Sequence, residues 1–312
     1  DFLNSIRTVS HDLTIDALNC KKGKLEWNEF VERYGHLRPG TYDILSYSYK
    51  NDPERYLKPL LNQSSKNLQG SNSNVGKLWR SSKEDFFSAL EKVSLPHDAE
   101  LVENFLRSSI EGREYAKFIF SRNLSFALDL LGEWAAEQGV ELEVMSHISI
   151  ADIRDAKSDL VIRSDIRKWL HEKASFASSQ HPVVEAIELP PLICNRDAFS
   201  FFEYPSTQPN FVGFTRVAAR VINLDQDETI DCDLENVIVM IPQADPGYDW
   251  LFGRRIAGLI TKFGGANSHM AIRAAEFELP AALGIGETRY RALADSFELE
   301  LDPANKIIRT LS

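Results

Sequence analysis

The hydrophobic pattern of this chain changes near residue 190, and the change limits the folds available to it. Before it, apolar residues recur with helical spacing, as at 25–34. After it, short apolar runs and strict alternation dominate, as in the continuous run at 237–241. The pattern predicts an α+β protein of two domains, a mostly helical one at 1–190 and a compact domain of strands and helix at 191–312.

Several features divide the helical part. Two long helices are predicted between residues 98 and 138, with a break near Gly112. A further helix is predicted over 164–178, ending before Pro182. The Ser- and Asn-rich stretch at 62–76 is typical of a loop.

Strands are predicted throughout the second part, with one helix among them. The helix extends from about Ser268 to Phe277. The strand-like segments are 217–221, 237–241, 257–261, 281–285, 297–301 and 307–311.

Composition excludes several classes of function. The net charge is −11, which disfavours nucleic acid or an anionic membrane as a partner, and no apolar run reaches membrane-spanning length. Cys20, Cys194 and Cys232 are far apart and form no CxxC pair, which is typical of reduced thiols in the cytoplasm. The acidic run at 225–233 is interpreted as a solvated loop rather than a calcium site, so no metal site is predicted.

The sequence begins with Asp1 rather than Met, and no signal-like segment precedes the first helical pattern. We therefore expect it to be a piece of a longer protein with a further N-terminal domain.

The stretch at 258–286 carries the chemistry. A buried strand leads into Gly264–Gly265, where the backbone can turn tightly and a ligand can approach. Asn267 or Ser268 can cap the helix that follows, which places His269 in its first turn. Free N–H groups and the positive end of the helix dipole suit an anion there. We expect the imidazole to face solvent or a partner site and to have a lowered pKa, so that it can attack phosphorus while Ser268 holds the phosphoryl group.

This stretch resembles the phosphohistidine signature of the phosphoenolpyruvate (PEP)-utilising enzyme family, which includes pyruvate phosphate dikinase, PEP synthase and rifampin phosphotransferase. The family pattern is roughly T-[DE]-x-G-G-x-x-[STC]-H-[AG]-A-I-V-A-R-E-x-G-I-P-A-V-V-G. The matching residues are Thr261, Gly264, Gly265, Ser268, His269, Ala271, Ile272, Glu276, Pro280, Ala281 and Gly284.

The resemblance implies that His269 carries a phosphoryl group on a small β/β/α domain that swivels between two active sites. Two positions depart from the pattern. Lys262 replaces the family's acidic residue, and Ala275 replaces its arginine. Arg273 lies one helical turn after the histidine and is a candidate to pair with the phosphate instead, although it is equally consistent with a solvated residue.

The helical part also resembles the family, most closely rifampin-phosphotransferase-like proteins, at 30–44 and 113–124. The resemblance implies that Arg113 and Lys117 meet the phosphohistidine or its acceptor; the alternative is that both face solvent. Acceptor-site candidates are His36, Arg38, Asp43 and Glu114, and the first three could instead close a turn. The resemblance also implies that the loop at 245–249, which follows a buried strand, lies near the histidine in a supporting role.

The sequence thus predicts part of an ATP-dependent dikinase-type phosphotransferase. Mg²⁺ and ATP are expected in the full-length protein, on an ATP-grasp domain of the same polypeptide that is missing here, and the acceptor is expected to be a small molecule. The fragment alone is expected to be inactive and to need no cofactor. Two alternatives stay open: a pyruvate, water dikinase lacking its pyruvate-binding barrel, which needs about 250 residues, or a non-catalytic protein that kept the fold.

Overall fold

The computed structural model describes most of the chain, namely residues 6, 8–62, 83–92, 98–159, 165–185, 187, 193, 196, 208–225 and 233–311. The predicted domain boundary at 190, nearly all of the predicted loop at 62–76 and most of the acidic run lie outside these residues, and the boundary stays a prediction.

The chain divides into two units. The first comprises Asp1–Pro39, Ser48–Arg122 and Thr207–Ser312, and the second comprises Gly40–Tyr47 and Asn123–Ser206.

The N-terminal segments of the first unit are helical, with conventional caps. Thr8 caps the first helix by accepting a hydrogen bond from the N–H of His11, and Asp52 caps the third through the N–H of Arg55. The elements are α1 (Val9–Lys21), α2 (Trp27–Tyr34), α3 (Pro53–Tyr56), a 3₁₀ helix (Lys58–Asn62) and α4 (83–92).

One continuous helix, α5 (Ala99–Glu137), replaces the two helices predicted between 98 and 138, so the predicted break at Gly112 is wrong. A glycine inside a helix costs only about 1 kcal/mol relative to alanine, which the good helix formers around it outweigh. The residues of α5 are shared between the two units.

The second unit packs three more helices around a small core. They are α6 (Leu142–Ser146), α7 (Ile150–Asp159) and α8 (Ile166–Glu185). Pro182 lies inside α8, so the predicted end before that proline is wrong. A proline removes one intrahelical hydrogen bond, and here the loss falls in the last turn of the helix. The core contains Ala135, Val140, Met145, Trp169 and Leu170.

A mixed seven-stranded sheet forms the C-terminal part of the first unit. Its order is β1-β5-β4-β3-β2-β6-β7, with the four central strands parallel and the outer pairs antiparallel. The strands are β1 (Asn210–Val212), β2 (Val217–Asn223), β3 (Ile238–Gln243), β4 (Gly258–Phe263), β5 (Ala281–Leu283), β6 (Glu298–Asp302) and β7 (Ile307–Thr310). A helical N-terminal region followed by a mixed sheet confirms the predicted α+β class.

Both faces of β3 are covered, which explains its uninterrupted apolar sequence. Val239 and Ile241 face the core that holds α9 (His269–Glu276), the predicted helix between β4 and β5. Ile238 and Met240 face the other core, which includes Tyr290 of α10. Helix α10 (Glu287–Ala294) and strand β1 were not predicted, because both are short.

The core on the α9 side continues into the N-terminal helices. Leu13 of α1, Phe30 of α2 and Trp250 are buried in the same cluster as Ile241 and Met270. Of the two cores of the first unit, the one on the α9 side is therefore shared by the N-terminal helices and the sheet. None of the helices in the described part of the chain is long and apolar enough to cross a membrane.

Candidate functional site

Two glycines shape the turn between β4 and α9. Gly264 has a φ of +145°, and a Cβ there would lie 2.6 Å from the Cβ of Ala244. Gly284 has a φ of +67°, and its Cβ would lie 2.1 Å from the carbonyl oxygen of Gly264. The hydroxyl of Thr261 donates to the carbonyl of Phe263 and accepts from the N–H of Gly284, both at 3.0 Å. These motif residues therefore hold the turn in place.

Helix α9 begins where the sequence predicts. The Ser268 hydroxyl accepts a hydrogen bond from the N–H of Ala271 at 3.3 Å, so Ser268 is the N-cap and His269 is the first helical residue. Gly265 and Asn267 are exposed, and the space beside Gly265 is open. Backbone near the start of α9 is therefore accessible, but binding of a phosphoryl group by Gly264, Gly265, Asn267 and Ser268 stays a prediction.

The imidazole of His269 is buried, with only 6% of the residue exposed. The prediction that it faces solvent is therefore wrong, and the alternative that it faces a partner site stays a prediction. Nε2 lies 2.7 Å from Oδ1 of Asp249. The Ser10 hydroxyl lies 3.1 Å from Nδ1 and 3.3 Å from Nε2, and Oε2 of Glu114 lies 3.8 Å from Nδ1. The near-equal distances place the hydroxyl between the two nitrogens rather than on the axis of either. Side chains from α1 and α5 cover the ring, which no local sequence pattern reveals.

The predicted lowering of the His269 pKa is also wrong. Burial lowers the pKa, but the charge of Asp249 and its hydrogen bond raise it to about 9. A buried carboxylate at hydrogen-bond distance outweighs the partial charge of a short helix. In this arrangement the ring is an imidazolium at neutral pH.

Arg273 does not face solvent and has three protein partners. It is 1% exposed, and its Nε lies 3.2 Å from Oδ1 of Asp249, the same oxygen that contacts His269. Its two terminal nitrogens donate to Glu276 at 2.6 Å and to the Thr14 hydroxyl at 2.9 Å. The interpretation as a solvated residue is therefore wrong, and pairing with a phosphate would require one of these contacts to break.

Cations accompany the carboxylates around the ring. Burial raises the pKa of Asp249, but the charges and hydrogen bonds of His269 and Arg273 lower it by more, so its pKa is below the ordinary value. Glu114 behaves in the same way: burial raises its pKa, and His269, Lys117 and Arg113 lower it below the usual value. Both carboxylates are therefore ionised at neutral pH.

Arg113 and Lys117 both belong to the exposed part of α5. Arg113 lies 3.0 Å from Glu114 and donates to the carbonyl of Asn267 at 3.4 Å, two residues before His269. Lys117 influences Glu114 electrostatically. The structure thus brings Glu114 to the ring of His269 and Arg113 to the turn before it, while the roles of Arg113, Glu114 and Lys117 stay predictions.

The other acceptor-site candidates are His36, Arg38 and Asp43. His36 is buried edge-on against Phe118, and burial lowers its pKa to about 4. Arg38 is buried where its backbone meets Gly247. Asp43 belongs to the second unit, is exposed, and closes a turn by accepting from the N–H of Leu45 at 2.9 Å. The turn interpretation is therefore favoured for Asp43.

Sequence analysis missed Ser10 and Thr14, and it named Asp249 only as part of the loop at 245–249 that the resemblance places near the histidine. Asp249 is a lone acid within the apolar run 248–252, which is a signal of a buried partner. Ser10 and Thr14 are one helical turn apart on α1 and meet His269 and Arg273, which are one turn apart on α9. That correspondence between two helices becomes visible only in three dimensions.

The fold and the site define a domain that holds one imidazole at the start of a capped helix, after a glycine turn, with a buried carboxylate on its ring. Residues 233–305 match the family model described as PEP-utilising enzyme, mobile domain. This match supports the PEP-utilising enzyme family, as the resemblance around His269 predicted, and suggests a phosphohistidine-carrying phosphotransferase. No curated protein matches the chain. Among the described residues, no cluster of His, Cys, Asp and Glu could hold a metal ion.

Proposed function

We propose that this chain is part of an ATP-dependent dikinase-type phosphotransferase, in which His269 carries a phosphoryl group from ATP to a small-molecule acceptor. ATP and Mg²⁺ would bind to an ATP-grasp domain of the same polypeptide, outside the sequence described here.

The observation that carries the proposal is the division of the contacts around His269. Asp249 lies within the matched residues 233–305, whereas Ser10 and Glu114 lie outside them. Contacts on the ring thus come partly from outside the matched domain, and a movement of that domain away from Ser10 and Glu114 would free those positions for a partner. A carrier that meets two partners in turn needs contacts that can be exchanged in this way.

The chemistry follows from the residue types. A neutral ring nitrogen attacks phosphorus in a loose transition state, and the leaving group departs with the electron pair of the broken P–O bond. Ser268 and the Gly264–Gly265 turn would hold the phosphoryl oxygens, and Arg113 with Lys117 would offset their charge at the acceptor. Because the ring is protonated at neutral pH, its Nδ1 proton must leave before the attack. Glu114, whose Oε2 lies 3.8 Å from Nδ1, would accept that proton once the distance shortens or through one bridging water.

The test uses the full-length protein and ATP labelled at the β-phosphorus. We expect acid-labile, base-stable label on the wild-type protein and none on His269→Ala. His171→Ala is the matched control, because His171 is exposed on α8 and should not affect the label. Equal labelling of wild type and His269→Ala would contradict the carrier role. Absence of label from both would instead favour a non-catalytic protein that kept the fold.

A further inference from the structure

The geometry points to Asp249 and Arg273 as positioning residues for phosphoryl transfer at His269, a role that deepens the proposed function and depends on it. Asp249 holds one ring nitrogen so that the other is presented to phosphorus, and Arg273 fixes Asp249.

The three side chains form a connected, buried group. Asp249 Oδ1 accepts from His269 Nε2 at 2.7 Å and from Arg273 Nε at 3.2 Å. Asp249 is 1% exposed, so water does not compete for the carboxylate. The guanidinium of Arg273 also lies beside the stacked rings of Phe252 and Phe277, at 5.4 and 4.8 Å from their centroids.

All five of these residues lie within the matched residues 233–305. They would therefore stay together whichever partner the domain meets. Ser10, Thr14 and Glu114 lie outside the match and would not accompany the histidine. The carboxylate and its arginine thus belong to the carrier itself.

The role follows from the charge that the reaction creates. The imidazolium must first lose its Nδ1 proton. The neutral ring then keeps its proton on the nitrogen that donates to Asp249 and carries its lone pair on Nδ1, in the orientation of this structure. As the N–P bond forms and the P–O bond to the leaving group breaks, the ring becomes positively charged. Asp249 remains ionised and offsets that charge, as the buried aspartate does for the histidine of a Ser-His-Asp triad. In the reverse direction, keeping the far nitrogen protonated makes the ring a better leaving group.

The charged and hydrogen-bonding groups around the ring come from four elements. They are Asp249 of the 3₁₀ helix Pro246–Gly253, Arg273 of α9, Glu114 of α5 and Ser10 of α1. Arg113 and Lys117 act through Glu114, and Glu276 acts through Arg273. Asp249 is the group closest to a ring nitrogen among these contacts, so its replacement should have the largest effect on the titration of His269.

The test combines NMR titration of ¹⁵N-labelled histidine rings with the pH dependence of label uptake in the full-length protein. In the wild-type protein we expect His269 to titrate well above the ordinary histidine range. In Asp249→Asn the two largest influences that raise the pKa are lost, while burial, the charge of Arg273 and the smaller contribution of Glu114 remain, so the titration should move to clearly lower pH than in wild type. Label uptake should slow by at least roughly tenfold, and its pH profile should shift in the same direction.

Two further variants keep the inference falsifiable. Arg273→Lys retains the charge but not the fixed fork of donors, so His269 should still titrate high while label uptake slows. Asp245→Asn is the matched control: it removes a carboxylate from the same loop, and asparagine can still cap the N–H of Gly247. Its titration and uptake should match the wild type, and thermal melting checks that each variant is folded.

An unchanged His269 titration in a folded Asp249→Asn protein would overturn the positioning role. So would label uptake with an unshifted pH profile. Absence of label from the wild-type protein would contradict the proposed function instead, because the NMR titration tests the hydrogen bond without any phosphoryl transfer.

Discussion

The hydroxyl of Tyr49 donates a hydrogen bond to the backbone carbonyl of Gly247 at 2.7 Å, although the two residues are 198 positions apart in the chain. Tyr49 also stacks on Tyr56, which packs edge-on against Trp250. Asp249, the residue that holds His269, lies between Gly247 and Trp250. The N-terminal segments therefore support the loop on which the site depends.

Removing that hydrogen bond should destabilise the first unit. In Tyr49→Phe the buried carbonyl of Gly247 is left without its hydrogen-bond donor. We therefore expect the free energy of unfolding to fall by about 1–3 kcal/mol. Denaturant unfolding measures it. Tyr42→Phe is the control, because Tyr42 is 74% exposed, and equal stabilities of the two variants would contradict the prediction.

Gly247 should not tolerate a side chain. A Cβ there would lie 1.8 Å from the carbonyl oxygen of Arg38, which is backbone and cannot move aside cheaply. We expect Gly247→Ala to lower the free energy of unfolding by about 1–3 kcal/mol or more. Gly112→Ala, where a Cβ meets nothing within 4 Å on α5, should instead stabilise by about 1 kcal/mol. The prediction is wrong if both variants shift stability in the same direction.

His269 should make stability depend on pH on the alkaline side. Its pKa rises from an ordinary 6.5 to about 9 in the folded protein. The folded state therefore binds the proton more tightly, so the contribution is full below pH 6.5 and is lost as pH rises through 9. We expect wild type to lose on the order of 3 kcal/mol relative to His269→Gln over that window. Parallel pH curves for the two proteins in denaturant unfolding would refute this.

His36 should make the free energy of unfolding fall at acid pH, whereas His269 makes it fall at alkaline pH. Burial lowers its pKa from 6.5 to about 4, and Arg122 and Lys50 also disfavour the charged ring. The unfolded state therefore binds the proton more tightly, so stability is full above pH 6.5 and is lost as pH falls toward 4. His36→Phe keeps the contact with Phe118 and should show less acid destabilisation than wild type between pH 7 and 5. An identical loss of stability between pH 7 and 5 in both proteins would contradict this prediction.

Burial should protect His269 from chemical modification. Diethyl pyrocarbonate acylates neutral, accessible imidazole, and the ring of His269 is covered and protonated at pH 7. We expect it to react at least about tenfold more slowly than the exposed His171, as measured by peptide mass spectrometry over time. Comparable rates at the two sites would show that the ring is accessible in solution.

Local sequence determined much of this protein. The switch from helical to strand spacing predicts the α+β class, and an uninterrupted apolar run predicts β3 as a strand covered on both faces. Gly264, Ser268 and His269 predict the turn, the cap and the first residue of α9, because each depends on backbone conformation and hydrogen bonds within a few positions. The resemblance around His269 predicted the family that the match at 233–305 supports, because the motif is also a local pattern of residues.

Only the tertiary structure decided the environment of the imidazole. Its burial comes from Ser10 and Glu114, which are far from His269 in sequence, and its raised pKa comes from Asp249, 20 positions away. Arg273 was placed by sequence on the correct helix, but its partners depend on how α1 packs on α9. Helix periodicity fixes which residues share a face, whereas the charge state of a buried ring depends on every group within a few ångströms, whatever its position in the chain.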